Sequence, residues 1–247
     1  MTESEGRAPR SAVTIAATQV HSPRWPFVSA LACGVVGVVA NVFLVGFFTL
    51  GYPSVGDPTW GWLGFVNDVI GTLEFLLFLP VIVAVTRLLP ASRAVGTITG
   101  LALAATSGLV LVSIALVVGA MPFDVQVRFV IAFLVVLYGW LLAVSSIAHR
   151  ANTLPRSVTR FGLLLGASFP AALLLILAGL LTGGVDLSGV RFGLPGVLLA
   201  VPGLLLGFLN WLALPGWPLL LAGTVFRDRP TRSVVRTHTI PEKEDVR

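Results

Sequence analysis

Six long apolar stretches, divided by short hinges that hold nearly all of the arginines, limit what this chain can fold into. A bilayer core is crossed by about 20 mostly apolar helical residues. Inside it, only helices or closed barrels satisfy every backbone polar group. The stretches read as spans over residues 27–50, 63–87, 94–119, 128–148 and 160–182, with a last one ending near Phe226. The expected fold is therefore all-α: a polytopic transmembrane helical bundle of six spans. Only 11% of the 247 residues are charged, against roughly 25% in a soluble domain, so the chain lacks the polar surface that water demands. Three regions follow: a polar N-tail over 1–26, expected to be disordered, one membrane domain over 27–226, and a basic C-tail over 227–247.

The hinges set the orientation. Of the 16 basic residues, 14 fall on one side of the expected spans: in the N-tail, around Arg87 and Arg93, at Arg150, Arg156 and Arg160, and in the C-tail. The other side has Arg128 and Arg191. By the positive-inside rule both termini face the cytoplasm. Trp25 and Phe27 at one boundary, and Trp60 and Trp62 at the opposite one, fit the aromatic belts of the two interfaces. The formal charge of +5 is thus a matter of topology, and no nucleic-acid partner is expected. The partner expected is the bilayer itself, with anionic lipid against the C-tail arginines Arg227, Arg229, Arg232 and Arg236.

The last apolar region, residues 193–226, is too long and too rich in proline for one straight helix. It contains Pro195, Pro202, Pro215 and Pro218, and each interior proline removes a backbone donor. An external interfacial piece is expected before about residue 203, followed by a span broken by prolines near Pro215-Gly216-Trp217-Pro218. Transporters use such breaks to bind substrates, whereas a kink absorbed by packing does nothing more. Pro80 and Pro170 lie inside spans two and five, where they free the carbonyls of Leu76 and Gly166.

Two acids lie within the second span. Glu74 is 12 residues from Trp62 and 13 from Arg87, about 18–20 Å from either boundary at the helical rise. That is close to the bilayer centre, where an ionised carboxylate is costly and desolvation favours the neutral acid. Asp68 lies six residues further out and on a different face. No Arg, Lys or His falls in the middle of any span. Counting from the span ends places Asn41 and Tyr138 near the level of Glu74, and Asn67 and Asn210 with Asp68. The candidate binding or coupling residues are therefore Glu74, Asp68, Asn41, Tyr138, Asn67 and Asn210. Two roles fit Glu74: an acid that changes protonation along a proton or cation pathway, or a neutral hydrogen-bonding group between helices.

Other features are less directive. The single cysteine, Cys33, permits no intramolecular disulfide. A buried thiol fits it better than a lipidation site, because the apolar run before it is very short. Gly96-xxx-Gly100, Gly162-xxx-Gly166 and Gly203-xxx-Gly207 allow close helix contacts within the bundle or between protomers. Ser145-Ser146 with His149 reads as hinge solvation and capping rather than catalysis. No phosphate loop or His-Glu-x-x-His zinc site is present, so no cofactor, metal or catalytic residue is expected.

The arginine bias (Lys243 is the only lysine) and the abundance of Ala, Val, Leu and Gly fit a GC-rich bacterial genome. In style across its whole length the chain resembles the small multi-pass membrane proteins of high-GC actinobacteria. That resemblance implies a bacterial plasma (inner) membrane location and brings no site residues. Two function classes remain: a proton- or cation-linked carrier of a small solute, or a non-transporting scaffold or regulatory subunit that binds a partner protein.

Overall fold

A computed structural model describes residues 24–52, 57–182 and 194–226. Most of the expected N-tail (1–23), the C-tail (227–247) and the 183–193 connection that contains Arg191 lie outside these residues. The described residues contain no strand, and six of their helical segments are long and apolar enough to cross a membrane. The helices are α1 (Trp25–Gly46), α2 (Trp62–Thr86), α3 (Arg93–Val117), α4 (Phe123–Ala151), α5 (Arg156–Thr182), α6 (Leu194–Ala213) and α7 (Gly216–Leu221). A π-helical turn, Phe47–Gly51, extends α1, and another, Ala222–Phe226, extends α7.

Local chemistry explains where the helices start and stop. Pro26 sits in the first turn of α1, where its missing N–H has no intrahelical partner to lose. The Ser92 hydroxyl accepts the Val95 N–H at 3.2 Å and caps α3. Asp124 lies in the first turn of α4, and His149 and Arg150 lie in its last, each matching the helix dipole. Asn152 then turns left-handed at φ 50° and ends α4, as asparagine does readily. The Arg87 guanidinium lies 5.7 Å from the centroid of the Trp25 ring and ties the end of α2 to the start of α1. On the opposite connection, Asp57 accepts the Thr59 N–H at 2.9 Å, and this bond holds its carboxyl below the usual carboxylate range.

Each helix packs on the next from α1 to α6, and α7 closes the bundle by packing on both α1 and α5. The interior centres on Phe78, Tyr138, Trp140 and Trp217, while residues such as Leu111, Leu174 and Leu181 point outward. Large exposed aliphatic side chains around the whole perimeter are what a lipid-facing surface requires.

The last span differs in part from the expectation. Among the described residues no separate interfacial piece ends near residue 203. Instead α6 continues through Pro202 to Ala213, because Gly203 lets its backbone lie against Ala172 and Ile176 of α5. The break falls where the prolines predict it, at Leu214-Pro215. Helix α4 also starts five residues before the expected position 128, at Phe123.

Candidate functional site

The polar side chains of the interior converge on residues 210–215 of the last span. Pro215 has no N–H to offer, and the Leu214 N–H is shared between the Asn210 and Trp211 carbonyls at 3.1 and 3.2 Å. Asn41 of α1 donates from Nδ2 to the Leu212 carbonyl at 3.0 Å. The Tyr138 hydroxyl of α4 donates to the Asn210 carbonyl at 3.3 Å, and its ring stacks on Phe169 with centroids 4.3 Å apart. Asn210 in turn donates from Nδ2 to the Leu165 carbonyl of α5 at 3.1 Å. Three helices thus bond to one short stretch of α6, which is how irregular backbone survives away from water.

Glu74 reaches the same place from α2. Its side chain is 5% exposed. The carboxyl lies over Gly37 of α1, beside the ring of Pro215. A Cβ on Gly37 would collide with Glu74 Oε1, and would meet Glu74 Cδ and Pro215 Cγ at 2.6 Å each. Glycine at position 37 is therefore what lets the carboxyl approach the break. One turn before Gly37, the Cys33 thiol donates to the Glu74 backbone carbonyl at 3.6 Å. Among the described residues no group hydrogen-bonds the Glu74 carboxyl, and the ion pair seen is the exposed Arg128–Asp124 contact at 3.9 Å.

The grouping read from depth changes in one respect. Glu74, Asn41 and Tyr138 do face a common stretch. Asn210, expected near Asp68 and Asn67, belongs with them instead. Depth counted back from Arg227 fails here because the break and the π-turn change the rise along the last span. Asp68 and Asn67 stay apart on α2, half-buried, with a 3.4 Å contact between Asn67 Nδ2 and Asp68 Oδ1. Thr72 donates to the Asp68 carbonyl at 2.6 Å.

A second polar junction had a different expected role. Ser146 donates to the Leu142 carbonyl of its own helix at 2.7 Å, but Ser145 does not back-bond in this way. It is buried against Gly162 of α5, where the indole nitrogen of Trp217 also points. The Ser145 hydroxyl and the Trp140 and Trp217 indole N–H groups have no partner among the described residues. Ser145 is therefore part of the α4–α5 contact and not of the solvated hinge. His149, by contrast, is exposed at the end of the helix.

Reading the sequence alone misses Gly37, and the Leu212 and Leu165 carbonyls as acceptors. Gly34 and Gly37, spaced to share a face with Ala30, Cys33 and Asn41, were the readable signal for the α1 groove. Comparisons with family models, with curated proteins and with solved structures found no match. Fold and site together define a multi-pass helical membrane protein with a buried acid at a broken helix.

Proposed function

We propose that this protein is a carrier of a small solute in a bacterial plasma membrane, with both termini cytoplasmic and Glu74 as its coupling acid. The observation that supports this reading is the Glu74 carboxyl, buried against the Pro215 break with no hydrogen-bond partner among the described residues. Intramembrane acids are costly and are functional by default. Broken helices at membrane depth mark the binding sites of many transporters. Asn41, Tyr138 and Asn210 hold the break, and Asp68 with Asn67 stands further along α2 on the outward route. Anionic lipid against the arginine-rich ends anchors the orientation.

The experiment is a thermal-shift screen of purified wild type and Glu74→Gln in detergent, across pH and a panel of cations and solutes. Anything that binds the native state raises its apparent stability by mass action. A shift present in wild type and lost in Glu74→Gln supports the carrier. A flat response in both proteins overturns it.

One observation favours the alternative, a scaffold that binds a partner in the membrane. Gly96 and Gly100 of α3 have no atom within 4 Å of where a Cβ would stand. Their face is open, and partner-dependent stabilisation lost in Gly100→Leu would favour this second reading.

A further inference from the structure

The surroundings of Glu74 bear on which ion a carrier of this kind would couple to. A metal cation held at a carboxylate needs several more oxygen ligands; calcium, for example, takes six to eight. The side chains placed at Glu74 supply few of them. One side of the carboxyl is closed by the Gly37 backbone and the Pro215 ring. Asn41, on the same helix as Gly37, turns its amide nitrogen to Leu212. Among the described residues no group of three or more His, Cys, Asp or Glu side chains is placed to hold a metal ion.

The titratable groups facing Glu74 are equally few. From α1 there is the Cys33 thiol, which bonds the Glu74 backbone carbonyl. From α4 there is Tyr138, within electrostatic range of the carboxyl and engaged with the Asn210 carbonyl. Helix α3 carries no titratable side chain beyond Arg93 at its start, and residues 194–226 carry none. On α2 itself the next acid is Asp68, six residues away. Among the described residues no basic side chain pairs with the Glu74 carboxyl.

The break presents the carboxyl with an apolar wall. Pro215 offers no N–H, and the Trp211 carbonyl that such a donor would have bonded accepts the Leu214 N–H at 3.2 Å instead. What the Glu74 carboxyl meets at the break is the Pro215 ring. Burial against it costs a neutral acid less than an ionised carboxylate.

We propose that Glu74 binds and releases a proton, not a metal cation, and that its neutral form is the one that holds α2 against the Pro215 break. This inference rests on the carrier reading and narrows it to proton coupling. Release of the proton leaves a carboxylate that must reach water, so the α2–break contact opens as the proton departs.

Isotope-edited infrared spectroscopy tests this on the full chain. Glu74 is the only glutamate between residues 6 and 241, so uniform 13C-glutamate labelling marks one intramembrane carboxyl. The expected result is a protonated carbonyl stretch that shifts in D2O, converts to carboxylate as pH rises, and does so at the same pH in sodium, potassium or choline chloride. The band is absent in Glu74→Gln and moves in Glu74→Asp, which serves if the glutamine variant fails to fold. Conversion to carboxylate on adding sodium at fixed pH overturns proton coupling while leaving a cation-linked carrier standing. A band insensitive to both pH and D2O overturns it as well, because the acid is then closed to water. If the band titrates as expected and no solute shifts the melting temperature, the carrier reading fails and the proton site remains.

Discussion

Two pairs of glycines with the same spacing meet opposite fates in this molecule. Gly162 and Gly166 of α5 lie against α4. A Cβ on Gly166 would come within 2.6–2.7 Å of the Leu142 backbone, and one on Gly162 would run into Ser145 Oγ and approach Trp217 Nε1 at 2.8 Å. Gly96 and Gly100 of α3 face open space. The lesson is that Gly-xxx-Gly permits close approach without causing it. What fills the α5 face is the need to bury Trp217 and to bring α7 back against α1 after the Pro215 break. The glycines of α1 make the same point at the site: Gly34 accommodates Leu219 and the Pro215 carbonyl, and Gly37 accommodates Glu74.

The strongest way to break this contrast is to place side chains on both pairs. Gly166→Leu should destabilise the fold by about 3 kcal/mol, since overpacking against backbone has little room to relax. Gly100→Leu should leave the thermal midpoint of the isolated protein unchanged. Equal losses in the two variants would show that the α3 face is covered in the native assembly.

Gly37→Ala should cost about 1–3 kcal/mol by the same mechanism, and the cost should fall in a Glu74→Ala background, where the obstructing carboxyl is gone. A double-mutant cycle in detergent reads this coupling directly. Additive losses would mean that the carboxyl does not occupy the Gly37 surface.

Asn41→Leu removes the donor to the Leu212 carbonyl and should lower stability by about 1 kcal/mol, the usual scale of an interhelical hydrogen bond in a membrane. Unfolding in mixed micelles measures it. An unchanged midpoint would show that the break satisfies itself.

The smallest effect belongs to a contact outside the helix packing. The Asp57 carboxyl is held below its ordinary range by the Thr59 N–H, so its folded value is lower than its unfolded one. Its contribution is present above the unfolded value and is lost as pH falls through the folded one. The protection factor of the Thr59 amide should therefore fall only once pH drops below the ordinary carboxylate range, and Asp57→Asn should remove that pH dependence without moving the global melting temperature.

The legible part of the site was the part fixed by depth and chemistry. Glu74 stood out because no basic residue shares its level, and Asn41 and Tyr138 could be placed beside it by counting from span ends. Asn210 could not, because counting assumes an unbroken helix and the Pro215 break lies between it and the reference arginine. Ser145 reads as part of a solvated hinge because nothing in the sequence tells which face of α4 meets Gly162.

The sequence by itself determined that six helices are long and apolar enough to cross a membrane, where the prolines end the long α6 and which acid stands at mid-span. These follow from hydropathy, helical rise and the missing proline N–H, all local properties of the chain. Only the tertiary structure decided which glycine faces are filled, that four helices converge on residues 210–215, and that Glu74 lies against the break. Those depend on how each helix is rotated about its axis. In a chain apolar on every face, hydrophobicity alone does not set that rotation; small-residue fit and a few hydrogen bonds do.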